Sequence, residues 1–329
     1  MNTLYDVAAI GNAIVDVIAQ ASDAFLADEG LVKGSMMLVD DARATELYGR
    51  MGTAIEASGG SAGNTVAGIA SLGGRGVHIG KVADDALGKV FAHDMQAIGA
   101  RFAGGVLKNG APTGRCLINV TPEGERTMCT ALGAAALLDP DDVDPAVIEG
   151  STIVFLEGYL FDPPPARRAF AKAAGLARTA SRLVALTLSD SFVVDRHRAG
   201  LIAFTGAEVD VLFANADEIA SLFETDDFDA AVAAVRGRCS IAVVTRGEKG
   251  SVVVTGDQVH HIEAVPVEKV VDTTGAGDQY AAGFLFGLAQ GLSLPHAGRL
   301  GSLCASEVIS HYGPRPQVSL KDLAAKAGL

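Results

Sequence analysis

The chain has 329 residues, with 26 Lys or Arg against 39 Asp or Glu and a formal charge of −13 at pH 7. An apolar fraction of 49% excludes a disordered chain, because that much apolar surface offsets the entropy of ordering when it is buried. The acidic balance argues against a non-specific nucleic-acid binder, yet it leaves room for a small anion held by local amides or a few cations.

The start Met1-Asn2-Thr3-Leu4-Tyr5-Asp6 lacks the basic segment and apolar run of a signal peptide, and no apolar stretch approaches the ~20 residues of a membrane helix. Cys116, Cys129, Cys239 and Cys304 form neither a CxxC pair nor a zinc spacing. They read as buried free thiols, so the expected location is cytoplasmic. Along the chain, β-branched runs at 5–10, 76–82, 152–156, 183–188, 209–214 and 241–245 predict buried strands. Helical patterns at 62–72, 88–98, 165–180, 216–222 and 228–236 lie between them. Such alternation implies right-handed crossovers and a mainly parallel, helix-covered sheet.

Two segments interrupt this rhythm. Strand-like runs occur at 13–20 and 36–39, and again at 115–120 and 126–131 around the turn Thr121-Pro122-Glu123-Gly124-Glu125. Extra strands leaving the core twice predict a small sheet over the strand ends, where open α/β sheets bind ligands. A lid is the functional reading and a decorative subdomain the alternative. The predicted division is an α/β core of 1–12, 41–103 and 133–329, with a lid of 13–40 and 104–132.

The stretch Asp272-Thr273-Thr274-Gly275-Ala276-Gly277-Asp278 precedes a helix with Phe284, Leu285 and Leu288 at core-facing spacing. Glycines at the helix mouth leave backbone N–H groups open to an anion, which the helix dipole also favours. Asp278 at the same mouth can accept a proton from a hydroxyl. An anion hole beside a carboxylate suits phosphoryl transfer; a Gly-rich turn with an Asp cap is the alternative. Other nucleotide signatures fail. The run 74–82 has the wrong glycine spacing for a P-loop and ends in Val82, and Gly11-Asn12-Ala13 is not a GxGxxG.

Asp272–Asp278 with its helix resembles the carboxyl-terminal signature of the ribokinase-like (PfkB) family of sugar and nucleoside kinases. Other stretches resemble family motifs in the family's order. Gly11-Asn12-Ala13-Ile14-Val15-Asp16 is similar to the first-strand motif, whose Asp holds sugar hydroxyls. Gly59-Gly60-Ser61-Ala62-Gly63-Asn64 is similar to the sugar-binding motif, with Gly80-Lys81-Val82-Ala83-Asp84-Asp85 after it. Asn215-Ala216-Asp217-Glu218 resembles the NxxE motif tied to magnesium and phosphate, and Thr245-Arg246-Gly247-Glu248-Lys249-Gly250 the TxGxxG stretch beside the adenine nucleotide.

The resemblance implies an α/β, three-layer α/β/α ribokinase-like fold with a mainly parallel central sheet and a small β-sheet lid. It implies ATP and Mg2+, with K+ near Thr274, Ser306 and Gly313, and a small-molecule substrate rather than nucleic acid or membrane. The assembly implied is a monomer or a homodimer. Asp278 is then the base, with Gly275, Ala276 and Gly277 as the anion hole. Asn12, Asp16, Gly59, Gly60 and Asn64 bind substrate. Asn215, Glu218, Thr245, Gly247, Gly250 and Thr274 surround the nucleotide, Glu218 acting on magnesium through water. Arg126, on the predicted lid hairpin, is the candidate cationic clamp over the transferring phosphate.

The long interval from Asp16 to Gly59, the extra strand in Leu31–Asp40, Leu132-Gly133-Ala134-Ala135-Ala136 and Leu188-Ser189-Asp190-Ser191-Phe192 resemble the adenosine kinase branch. Met128, Leu132 and Leu160 are candidates for a base slot, with plain core packing as the alternative. The activity implied is ATP-dependent phosphorylation of the 5′ hydroxyl of a nucleoside, adenosine first. Alternatives are a sugar kinase for ribose, fructose or a 2-keto-3-deoxy sugar acid, and a non-catalytic nucleoside-binding protein.

Overall fold

The computed structural model describes residues 3–329. Its strands begin with β1 (Tyr5–Ile10), β2 (Ile14–Gln20), β3 (Met36–Leu38), β4 (Ala54–Ser58) and β5 (Gly76–Ile79). Then come β6 (Lys81–Ala83), β7 (Arg101–Phe102), β8 (Gly105–Leu107), β9 (Gly114–Val120) and β10 (Arg126–Ala131). The last are β11 (Ser151–Glu157), β12 (Leu183–Thr187), β13 (Val211–Asn215), β14 (Ile241–Thr245), β15 (Ser251–Thr255) and β16 (Gln258–Ile262). Nine of them form one sheet in the order β16-β15-β14-β13-β12-β11-β1-β5-β7. From β14 to β7 every pairing is parallel, and β15 and β16 add antiparallel at one edge.

The period of two along each strand sends neighbouring side chains into separate cores. Ala8, Ile10, Val154, Leu156, Leu186 and Leu212 join one cluster, whereas Val7, Ala9, Ile153, Phe155, Ala185 and Val211 join the other. Both faces are dry, which is why these strands read as unbroken apolar runs. The helices are α1 (Asp23–Asp28), α2 (Asp41–Arg50), α3 (Ser61–Ser71), α4 (Ala86–Ala97), α5 (Pro145–Glu149) and α6 (Pro164–Thr179). After them come α7 (Ser191–Glu208), α8 (Ala216–Phe223), α9 (Phe228–Val235), α10 (Ala276–Ala289), α11 (Leu294–Val308) and α12 (Leu320–Lys326). Ala169, Ala173 and Ala177 of α6, with Val193 and Leu201 of α7 and Ile219 of α8, cover the first face. Val66 of α3, Phe91 of α4, Phe284 of α10 and Ala297 of α11 cover the second. This is the expected three-layer α/β/α arrangement. No helix among the described residues is long and apolar enough to cross a membrane.

A second sheet of five strands, in the order β3-β10-β9-β2-β4, forms the small β-sheet lid. The predicted hairpin closes with the Thr121 N–H donating to the Glu125 carbonyl at 2.9 Å. Two strands fall differently from the sequence division. β4, within the segment 41–103 assigned to the core, pairs antiparallel with β2 in the lid sheet. β8, within the segment 104–132 assigned to the lid, pairs instead with β6 in a separate two-stranded sheet. The run 76–82, expected as one strand, breaks at Gly80, where a Cβ would meet the Gly11 carbonyl oxygen at 2.7 Å. Backbone crowding at that point ends β5 and redirects the chain into β6.

Candidate active site

Strands β1, β11, β12, β13 and β14 all end at the same edge of the sheet, and a cavity of about 690 Å³ opens there beneath the lid. Asn12, Asp16, Asn64, Asn215 and Asp278 all line it. A second cavity of about 590 Å³ lies at the opposite ends of β12–β14, around Arg182, Asp210 and Arg238, and includes none of the predicted residues.

At the mouth of α10, Gly275 is the N-cap with φ 79° and no side chain caps the helix, so first-turn amides stay open to a ligand. The Ala276 N–H is the exception, donating to the Thr273 carbonyl at 3.2 Å. Asp278, in that first turn, accepts from Ser61 Oγ at 2.6 Å and from Asn64 Nδ2 at 3.0 Å. Burial raises its carboxyl above the ordinary value, while Ser61, Asn64 and the Arg315 guanidinium work against the rise. A carboxylate with raised proton affinity, still held by donors, is chemically a base.

Asp16 on β2 faces the same cavity from the lid side. Burial pushes it up to about 6, opposed by Arg315 and Arg126 and reinforced by Asp278. Gly59 is needed beneath it, since a Cβ there would meet the Asp16 carboxyl carbon at 2.4 Å. Gly60 has φ 80°, and its Cβ would meet the Asn12 carbonyl oxygen at 2.3 Å. Gly60→Ala is therefore expected to cost about 1–3 kcal/mol of stability from backbone strain alone. Urea denaturation measures it, and an unchanged midpoint would refute this role for Gly60.

Asn12, 3% exposed, donates its backbone N–H and Nδ2 to Glu157 Oε1 at 3.2 and 2.7 Å. Its buried Oδ1 has no hydrogen-bond partner among the described residues. Glu157, 1% exposed, also accepts from the Ala62 N–H at 2.8 Å, and burial pushes it up to about 7.

On the nucleotide side, Asn215 ends β13 and caps α8 in a reciprocal box with Glu218. Glu218 Oε2 and Oε1 accept from the Asn215 backbone N–H and Nδ2. Glu218 is 6% exposed and is pushed up to about 7 by burial, with Asp190 and Asp217 adding to the rise. A hydrated cation beside these three carboxylates would relieve the repulsion that Asp190 and Asp217 exert on Glu218. Among the described residues no group of three or more His, Cys, Asp and Glu is arranged to ligate a metal directly. Thr245 and Thr274 line the cavity, but Gly247 and Gly250 shape the turn after β14 at φ 58° and 77°.

Arg126 lies with Nη1 3.1 Å from Asp272 Oδ2, the two side chains being 9% and 8% exposed. The lid hairpin thus reaches the loop that feeds α10. Asp272 also accepts from the Thr274 N–H and Oγ1 and the Gly313 N–H, at 3.0, 2.7 and 3.0 Å. Burial works against ionisation of Asp272, but the Gly313 and Thr274 donors and Arg126 outweigh it and hold the carboxyl below its ordinary value. Ser306 donates its hydroxyl within its own helix, to the Leu303 carbonyl.

Met128 and Leu132 line the cavity with Met36 and Leu38 of the lid. Leu160 does not. It is fully buried in the first of the two cores, and its neighbour Tyr159 lines the cavity. Sequence reading missed Ser61 as a partner of Asp278, as well as Glu157, Gln279 and Arg315. Only Glu157 gave a signal, as a lone charge ending an apolar run.

Residues 30–320 match the pfkB family carbohydrate kinase family. The chain is 51% identical to adenosine kinase from Sinorhizobium meliloti, whose structure superposes with a TM-score of 0.91 over 98% of this chain and 99% of that one. It is 46% identical to a probable sugar kinase from Rhizobium etli, with a TM-score of 0.91 and 99% of both chains covered. Adenosine kinase from Saccharomyces cerevisiae is 28% identical over 328 residues, covering 93% of this chain and 95% of the yeast protein.

Proposed function

The chain belongs to the pfkB family of carbohydrate kinases, and on that premise we propose that it transfers the γ-phosphoryl group of ATP to the 5′ hydroxyl of a nucleoside, adenosine first. The observation that carries the reading is the pairing of two halves in one cavity. Asp278, Asp16 and Asn64 form a polar floor, and Met36, Leu38, Met128 and Leu132 form an apolar roof. A free pentose has hydroxyls for the floor and nothing for the roof; a nucleoside satisfies both.

Asp16 accepts from two ribose hydroxyls and orients the sugar. Asp278 takes the proton of the 5′ hydroxyl as that oxygen attacks in line. The N–H groups of Gly277 and Asp278 at the helix mouth stabilise the charge that develops on the transferred group. Glu218 and Asn215 would hold magnesium through its water shell, and that ion supplies neutralisation of phosphate charge when bound. Potassium is proposed beside Thr274 and Gly313, next to the ionised Asp272. Arg126, poised at Asp272, is the cation that turns to the phosphates, and lid closure excludes the water that would otherwise hydrolyse ATP.

The 46% identity to a probable sugar kinase favours a second reading, in which a free sugar occupies the same floor. Initial rates with ATP against adenosine, inosine, ribose, fructose and 2-keto-3-deoxygluconate decide between them. Adenosine is expected to exceed each free sugar by about 100-fold in kcat/KM. A free sugar turned over faster than adenosine overturns the nucleoside reading.

A further inference from the structure

We propose that Arg315 is a positioning residue of this site: it fixes the Asn64 amide that holds the Asp278 carboxylate, and its buried charge acts on Asp278 through that amide. The proposal rests on the reading of Asp278 as the base.

The segment 311–318 joins α11 to α12 and is tied down from three sides. Glu307, 8% exposed, takes the Gln317 and Val318 N–H groups on Oε1 at 3.0 and 3.3 Å, with His311 Nε2 at 3.1 Å. Asp272 takes the Gly313 N–H. Gln279, fully buried, donates Nε2 both to the Pro314 carbonyl at 3.0 Å and to the Asn64 carbonyl at 2.9 Å. These anchors fix the point from which the Arg315 side chain departs, against α3 and α10.

From there Arg315 Nη1 donates to Ser58 Oγ at 2.7 Å, and Nε donates to Asn64 Oδ1 at 3.3 Å. An amide has one accepting end and one donating end. With its oxygen engaged by a guanidinium, Asn64 turns Nδ2 to Asp278 Oδ2 at 3.0 Å. The opposite orientation would set the amide oxygen against a carboxylate and its NH2 against a cation. Arg315 therefore selects the orientation that supports the base.

The charged and titratable groups around Asp278 are Asp16 on β2, Glu157 at the end of β11, Tyr159 just after it, and Arg315 on the segment. Asp94 on α4 also draws on Arg315 and accepts from the Ser58 N–H. His78 on β5 is pushed down to about 3 by burial and by Arg315, so it adds no competing charge. Arg126 acts on Asp16 from the lid, but Arg315 is the cation placed to serve both carboxylates.

The test is a 13C carboxyl NMR titration of the full chain, with the Asp278 signal assigned by its loss in Asp278→Asn. It is run on wild type, Arg315→Met and Arg315→Lys beside their thermal midpoints. In Arg315→Met the Asp278 titration is expected at higher pH, and Arg315→Lys returns it toward wild type because the charge is kept. In ATP-dependent transfer, Arg315→Met is expected to lose several-fold more kcat toward the acid end of the pH profile than toward its alkaline end. An Asp278 titration unmoved in Arg315→Met overturns the proposal, whatever happens to activity. If Arg315→Met does not fold, Arg315→Gln decides, because it removes the charge while keeping an N–H donor: an Asp278 titration moved to higher pH supports the proposal, and one at the wild-type position overturns it. A moved titration with an active Asp278→Asn would instead overturn the reading of Asp278 as the base while leaving the role of Arg315 intact.

Discussion

Asp278→Asn is expected to lower kcat by about 10³-fold, the scale of a lost general base, with KM for both substrates changed only a few-fold. The side chain keeps its shape, its amide oxygen can still accept from Asn64 Nδ2, and its NH2 can donate to the Ser61 hydroxyl. What is lost is the capacity to take a proton from the attacking hydroxyl. The fold should tolerate the change well. Asp278 has its carboxyl raised by burial, so its ionised form opposes folding. Because the folded state binds that proton more tightly than the unfolded state, wild type loses stability as pH rises from the ordinary carboxylate range through the folded value. Asp278→Asn carries no such term, so its Tm should gain on wild type over that pH window. A variant with near wild-type kcat would rule out Asp278 as the base, since an amide cannot accept the proton.

The second large effect is expected at Asp16. Asp16→Ala removes the proposed acceptor for two hydroxyls, each charge-assisted hydrogen bond being worth about 1.5–3 kcal/mol. The corresponding fall in kcat/KM is about 10²–10⁴-fold, most of it through KM. A substrate analogue lacking the 2′ and 3′ hydroxyls distinguishes recognition from general damage. It should be poor with wild type and nearly indifferent to the substitution. Equal losses for adenosine and for the analogue would place the effect of Asp16 elsewhere, for instance in the packing of β2 against β4 and β9.

Much of the candidate site, as the set of residues that share one cavity, was legible because tight backbone geometry restricts residue type. Gly59 and Gly60 have no room for a Cβ, and an uncapped helix mouth with a carboxylate in its first turn is written directly as Gly275-Ala276-Gly277-Asp278. The buried strands were legible because both faces of the sheet are covered, which removes polar residues from whole runs. β4 and β8 were misplaced for the converse reason: short and partly exposed, they take their partners from tertiary context. Asn215 and Glu218 were read toward magnesium without the capping box that also explains their spacing. Arg315 was invisible because its partner Asn64 lies 251 residues away, and no local pattern marks a guanidinium that will be brought to an amide by three distant anchors. Leu160 shows the limit of reading by alignment of place, since the one-residue step from Tyr159 exchanges the cavity wall for the core.

The central claim is that this cavity seats a nucleoside with its 5′ hydroxyl against Asp278. Mass-spectrometric identification of the products formed from ATP and adenosine by the purified protein, with 5′-deoxyadenosine as a parallel substrate, tests it most directly. Adenosine 5′-monophosphate and ADP are expected in equal amounts, with no phosphorylated product from 5′-deoxyadenosine, which should act as a competitive inhibitor against adenosine. Absence of any adenosine monophosphate, with rapid formation of a sugar phosphate from a free sugar under the same conditions, would contradict it.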